Sequence, residues 1–402
     1  MELIQNNQKI PEGWSVKKLG ECFSFLKTPS YSRAETTDIG DVHYVHYGDI
    51  HTKYHLHVCP TDIDIFVSDA QAQKGDFLKT GDLILLDASE DYEGTTKCIE
   101  LVDVANDDKI IAGLHTLALR DNANYFTNGF RAYITSMPFV KTNFWKQVSG
   151  FKVYGVSKDN LKKLKLLLPP LAEQEKIALV LGTWDEAIEK LSGLIEQKKL
   201  LKKGLMQKLF NFSRECHKRF DDIFEDYSDK KHPDKELLSA TQENGVLPRR
   251  LLAGRVMSPE GSLNGYKLIR SGDFVISLRS FQGGFEYSKY EGLISPAYTI
   301  LRNKIEISKD FYRYFFKSYD FIEKYLSIAV IGIRDGKQIS FPDLRSVKIP
   351  YPTLEEQQAI ADVLSTADDE INLLNQKLEA LKEQKKGLMQ QLLTGQIRVK
   401  VN

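Results

Sequence analysis

PPLAEQEKIALVL (Pro169–Leu181) and PTLEEQQAIADVL (Pro352–Leu364), followed by KKGLMQKL (Lys202–Leu209) and KKGLMQQL (Lys385–Leu392), are two copies of one sequence 183 residues apart. Val156–Leu209 lies over Ile339–Leu392 without a gap, with 24 identities in 54 positions. Apolar residues recur at steps of four and three. They are Ile177, Leu181, Trp184, Ile188, Leu191 and Ile195 in the first copy, and Ile360, Leu364, Ala367, Ile371, Leu374 and Leu378 in the second. This spacing predicts a long helix carrying a coiled-coil seam. Pro169, Pro170 and Pro352 end an extended segment ahead of each helix, and Glu173 and Glu356 suit a first turn. Lys202 and Lys385 interrupt the seam at equivalent places, and Lys198 interrupts the first copy alone. Neither stripe is apolar all round, so each needs a partner; that partner is either its own domain's surface or the other copy, and the shared register argues for mutual pairing.

Around the helices the chain reads as mixed domain, helix, mixed domain, helix. The boundaries are 1–155 and 211–338 for the domains, and 156–210 and 339–402 for the helical spacers. Both domains carry strand-like runs: Asp82–Ser89 and His115–Arg120 in the first, Asp273–Ser280 and Ala297–Arg302 in the second. TGDLILL and SGDFVIS share one logic, a turn at Gly81-Asp82 or Gly272-Asp273 leading into a strand. Each domain then has an aromatic-rich predicted helix, Phe130–Val148 and Asp310–Ile328, whose rings read as core. Ser228–Asn244 reads as loop or a short helix. The fold class is α+β: two similar mixed domains separated by two long helices, a pseudo-twofold object. Such objects bind targets with two halves, of which bipartite DNA is the commonest.

The 402 residues allow several cores, and no apolar run approaches a membrane span. Cys22, Cys59, Cys98 and Cys216 lack CxxC spacing and read as reduced thiols in a cytosol. The 55 basic residues balance the 55 acidic ones, and residues 1–155 carry 15 Lys+Arg against 21 Asp+Glu. Bulk charge therefore does not point to nucleic acid, and local patches or basic partners must supply phosphate attraction. No glycine-rich cofactor loop or catalytic constellation stands out, so no catalytic residue and no metal is assigned. His55, His57 and Cys59 alternate as ligands on one strand face would, but two-residue spacing without CxxC is unusual for zinc.

HYVHYGDIHTKYHLH (His43–His57) holds five of the eight histidines. It reads either as an exposed polar face or as a DNA-reading surface using Tyr47, Asp49, His51 and Lys53, with Asp49 accepting from cytosine N4. In the second domain the comparable candidates are Arg279, Ser280 and Gln282, because Arg can bond bidentately to guanine and Gln to adenine. Lys152 and Tyr154 in the first domain, and Arg334 and Lys337 in the second, lie just before the spacers and suit phosphate contact.

The paired stretches PPLAEQEKIA and PTLEEQQAIA, each ending in KKGLMQ-L, resemble the repeated regions of type I restriction-modification specificity subunits. IPEGWSVKKLGE (Ile10–Glu21) resembles the start of their target-recognition domains, and the domain–helix order agrees along the whole chain. Thr353 replaces the second proline of the first copy, and the second domain opens with RECHKRFDDIFED, without a PEGW equivalent. The resemblance implies a non-catalytic, cytoplasmic subunit in a bacterium or archaeon. Each domain would read one half of a split double-stranded DNA site. The helices would pair antiparallel, set the spacer and dock two modification subunits through the seam residues. Those subunits would hold S-adenosylmethionine for adenine-N6 methylation, and two restriction subunits could join. The alternative is a coiled-coil adaptor with two domains for ligands other than DNA.

Overall fold

The structure, a computed structural model, describes residues 3–4, 8–150, 152–252, 263–278, 280–329 and 339–401. The chain divides into two units, Met1–Leu191 with Lys377–Asn402, and Ser192–Gln376. Each unit therefore contains one mixed domain, the near part of one long helix and the far part of the other.

In the first unit β1 (Ser15–Lys18) is followed by β2 (Phe23–Phe25), β3 (Val42–Val45), α1 (Tyr47–Thr52), β4 (His57–Val58) and β5 (Phe66–Val67). Next come β6 (Leu83–Leu86), β7 (Ala88–Ser89), β8 (Cys98–Leu101), β9 (Lys109–Ala112) and β10 (Thr116–Asp121). Then follow α2 (Pro138–Trp145), β11 (Tyr154–Gly155) and β12 (Lys165–Leu168). The main sheet has the order β2-β10-β6-β8-β4, and a second sheet has the order β9-β3-β5. All four residues of β6, LILL, are buried, as a central strand packed on both faces requires. Residues ahead of the long helix belong to the domain, because β12 pairs antiparallel with β1, Leu168 opposite Ser15.

The long helix α3 (Leu171–Leu209) leads to the second domain. There the strands are β13 (His217–Arg219), β14 (Phe224–Tyr227), β15 (Leu238–Thr241), β16 (Gly245–Pro248), β17 (Lys267–Ile269) and β18 (Phe274–Ile276). They continue with β19 (Glu286–Tyr287), β20 (Gly292–Ile294) and β21 (Thr299–Asn303), then α4 (Lys309–Phe315), β22 (Lys348–Pro350) and α5 (Leu354–Leu392). The sheet order is β14-β21-β18-β19, and its run β14-β21-β18 repeats β2-β10-β6 of the first domain. RECHKRF supplies β13, which pairs with β22 as β1 pairs with β12, so this opening fills the place of the PEGW-containing one.

The predicted Gly-Asp turns are present in both domains. Gly81 and Gly272 sit at φ +85° and +95°, where glycine carries no Cβ penalty. The following aspartates are buried and each takes a bidentate arginine: Arg120 on Asp82 (2.9 and 2.6 Å) and Arg302 on Asp273 (3.0 and 2.6 Å). The predicted aromatic helices are real but interrupted. Pro138 has no amide hydrogen to continue the 3-10 turn Arg131–Ser136 and opens α2 instead. In the second domain α4 stops at Phe315, and a π-turn, Phe321–Leu326, follows. Their rings are core as expected: Phe130, Tyr133 and Phe144, and Phe311, Phe315 and Phe316, are fully buried. Ser228–Asn244 is neither all loop nor helix, because Leu238–Thr241 forms a hairpin with Gly245–Pro248.

Both repeats form 39-residue helices, about 58 Å long at 1.5 Å per residue. Their starts are fastened alike. Gln174 is buried, donates to Pro169 O (2.9 Å) and accepts from the Thr127 amide (3.2 Å). Gln357, its repeat equivalent, donates to Pro352 O (2.9 Å) and accepts from the Ser308 amide (2.9 Å). The pairing is antiparallel within each unit. Ile177 and Leu181 share a core with Leu388 and Leu392, and Ile360 and Leu364 share one with Leu205 and Leu209. Leu191, Ile195, Ile371 and Leu378 are buried, and Trp184, Ile188 and Leu374 half-buried, so the predicted seam faces inward. Among the described residues no helix is long and apolar enough to cross a membrane.

Candidate nucleic-acid interface

The histidine-rich stretch folds as a strand and a helix rather than as one polar strand. His46 caps α1: its Nδ1 accepts from the Gly48 amide (3.1 Å), and burial holds its pKa below the usual histidine value, which keeps that nitrogen an acceptor. On α1, residues four apart share a face and residues two apart lie about 200° apart. The four predicted readers therefore separate into two pairs. Tyr47 and His51 line one open cleft of about 520 Å³ with Ser89, His115 and Val153. Asp49 and Lys53 line another, of about 330 Å³, with Arg33 and Asp64.

Asp49 does not fit the base-reading role assigned from sequence. It is 4% exposed, and both its oxygens are taken by Arg33 at 2.8 Å. Lys53 is paired with Asp64 at 2.5 Å. The larger cleft gathers residues about 100 positions apart. β11 pairs with β7, Tyr154 opposite Ser89, which brings Val153 to the wall beside exposed Lys152. Tyr154 packs edge-on against Tyr92 at 5.4 Å. Tyr47 packs at a tilt against His46 (4.5 Å) and meets His115 edge-on (5.3 Å). His115 stands at φ +56°, uncommon for a residue with a side chain, and its Nδ1 lies 3.2 Å from Asp87. Burial and neighbouring Lys97 lower the pKa of His51.

Sequence reasoning missed His115, Glu90 and Asp91 at this cleft. His115 was visible only as the residue heading a strand, and nothing local signals its backbone conformation. The described residues of the cleft lining supply carboxylates, imidazoles and hydroxyls, groups that can meet base edges.

The second domain has an open cleft of about 490 Å³ at the same end of the equivalent strand pair. In the first domain Ala88 and His115 lie just beyond β6 and β10; in the second, Ser277 and Tyr298 lie just beyond β18 and β21. The β15–β16 turn supplies Gln242 and Asn244, which sequence reasoning also missed because it left this stretch without a strand. Ser280 does not fit the base contact expected of it from sequence. It is 1% exposed, and its Oγ accepts from the Ser277 amide at 2.8 Å, so it shapes the turn and cannot touch DNA. Gln282 is exposed on the short helix Ser280–Gly283. Arg279, Arg334 and Lys337 lie outside the described residues.

His57 Nε2 donates to Gly129 O (2.8 Å), and Cys59 faces Asp103, so neither joins a ligand set. Among the described residues no three His, Cys, Asp or Glu side chains are placed to hold a metal.

The sequence matches the type I restriction modification DNA specificity domain twice, over residues 11–198 and 218–383. It is 33% identical over 298 residues to the type I restriction enzyme MjaVIII specificity subunit of Methanocaldococcus jannaschii, covering 65% of this chain and 69% of that one. The fold is similar to the crystal structure of a type I restriction-modification S subunit from M. genitalium, with TM-score 0.54, 16% identity and 97% of each chain covered. It is also similar to a chain in a structure concerned with complex assembly and conformational transition of the type I restriction-modification system, with TM-score 0.55, 16% identity, and 97% and 100% covered. With both domain–helix repeats matched, this chain belongs to the type I restriction-modification specificity subunits.

Proposed function

We propose that this chain gives a type I restriction-modification complex its DNA sequence preference without catalysing a reaction itself. Each domain reads one half of a bipartite double-stranded site through its cleft. The paired helices set the unread spacer and dock two modification subunits, which bind S-adenosylmethionine and methylate adenine N6. Two restriction subunits can complete the assembly. The observation that carries this reading is the recurrence of one cleft, at the same end of the same strand pair, in two domains fastened alike to repeated helices.

A near-neutral chain, with no lysine or arginine among the described residues lining its first cleft, is consistent with partners supplying much of the phosphate attraction. The test is methylation with purified components. With its modification subunit and S-adenosylmethionine, the chain should direct N6-methyladenine to one bipartite sequence, and alone it should methylate nothing. Methylation by the isolated chain would refute the non-catalytic reading. Absence of sequence-selective DNA retention in the assembled complex would favour the adaptor reading.

A further inference from the structure

Two lysines interrupt the apolar seam at matching repeat positions, and the structure shows what each meets. Lys385 of α5 is 8% exposed and ion-pairs with Asp185 of α3. Tyr133 of the first domain donates to the same aspartate at 2.7 Å, and the ammonium lies 5.6 Å from that ring. In the second unit Lys202 of α3 pairs with Asp368 of α5 at 2.5 Å. Tyr314 donates to Asp368 at 2.8 Å, and the ammonium lies 5.0 Å from its ring. Asp185 and Asp368 are repeat equivalents, as are Lys202 and Lys385. Each triad thus joins three elements: a domain, the helix leaving it and the opposite helix.

We infer that these two triads fix the register of α3 against α5, and so restrict the spacer to one length. The inference rests on the proposed function only in its second half. An apolar seam repeating every seven residues does not choose its own register, because a seven-residue slip pairs apolar side chains with apolar again. The triads do choose. After a slip of seven residues either way, Asp185 would face Leu378 or Leu392, and Lys385 would face Ala178 or Ser192. Asp368 would face Ile195 or Leu209, and Lys202 would face Ala361 or Asn375. Partly buried charges, with Lys385 the most enclosed, would then lack opposite partners, and a single buried polar residue suffices to select register in a coiled coil. A seven-residue slip moves one helix about 10 Å along the other, about three base pairs of DNA.

The test replaces both pairs by apolar residues of similar size, Asp185→Leu, Asp368→Leu, Lys202→Met and Lys385→Met, in the full chain. Spin labels at exposed Gln197 and Asn372, with Cys59 and Cys216 changed to serine, report register without DNA. The parent should give one narrow distance distribution, and the quadruple variant additional populations displaced by up to about 10 Å. A single unchanged distance in the folded variant would overturn the inference. With the modification subunit, the parent should methylate one spacer length. The variant should lose at least tenfold of its preference over spacers about three base pairs longer or shorter. If the labels show several registers while the spacer preference stays, the ruler reading fails and the register assignment stands. Should the quadruple variant not fold, Asp185→Asn with Asp368→Asn replaces it. Broadening of the label distances then supports the inference, and an unchanged distribution overturns it.

Discussion

His46 holds the first turn of α1 by accepting from the Gly48 amide, and α1 presents Tyr47 and His51 to the cleft. Because burial lowers the pKa of His46, the folded chain disfavours its protonation. The sign follows: as pH falls through the unfolded value of about 6.5, the unfolded chain takes up the proton first and stability declines. Chemical denaturation followed between pH 7.5 and 5 should show the first unit losing stability, and His46→Gln should flatten that dependence. At the cleft itself, Tyr47→Ala and His51→Ala should each cost about 1–3 kcal/mol of discrimination at positions in one half-site only. Binding competition among single-base variants measures this, and a loss uniform over all sequences would mark the residue as a phosphate contact. Side-chain identity was legible in the sequence, but availability was not. Asp49 and Ser280 have the right chemistry for bases, yet folding commits one to Arg33 and the other to a backbone amide. The first commitment depends on Arg33, 16 positions away along the chain, and the second on a local turn, Ser277 to Ser280, that residue type alone does not announce.

Elements were read well where a period or a repeat defined them. The seam, the Gly-Asp turns and the central strands are all local patterns, and each appears in the structure. The breaks at Met137–Pro138 and after Phe315 were lost because aromatic residues run through them unchanged. The β7–β11 pairing, which builds the first cleft wall, joins segments too far apart and too short to carry a pattern. Gly193 sits within continuous α3, exposed, with open space where a Cβ would stand. Gly193→Ala should therefore stabilise the chain by about 0.5–1 kcal/mol, read as a raised denaturation midpoint. Insertion of four residues after Leu194 of α3 together with four after Asn375 of α5 adds about 6 Å of rise and slightly over one turn, keeps both Lys–Asp pairs in register, and is a mild stutter in the seam. Such a variant should methylate a spacer longer by about one to two base pairs with both half-sites unchanged. Two inserted residues rotate the seam by about 200° and should abolish activity.

At the scale of the whole molecule, modular recognition demands that one domain be exchangeable without disturbing the other, and the structure locates the junction. An exchange ending at residue 155 would separate β12 from β1, because Lys165–Leu168 pairs with Ser15–Lys18. It would also leave Leu161, Leu164 and Leu166, all buried in the first domain's core, facing a foreign partner. An exchange ending at Leu168 keeps that sheet intact, and Glu173 and Gln174 then become the points where the host helix must accept the incoming domain. Glu173 is 2% exposed and holds both Trp14 Nε1 (2.9 Å) and the guanidinium of Arg398 (2.6 and 2.7 Å). Arg398 also donates to Glu12 O at 2.9 Å, so residues at both ends of the chain meet at one helix start. An incoming domain must therefore carry a tryptophan or another donor at the position of Trp14, or Glu173 loses one of its partners. Replacement of residues 1–168 by a relative's equivalent that meets this condition should change one half of the methylated sequence. The other half and the spacer should stay as they are. The same replacement ended at residue 155 should give a chain that unfolds several degrees lower and methylates poorly. Mapping methylated adenines genome-wide in cells carrying each exchange decides the matter: alteration of both half-sites by the 1–168 exchange would show that the two domains do not read independently.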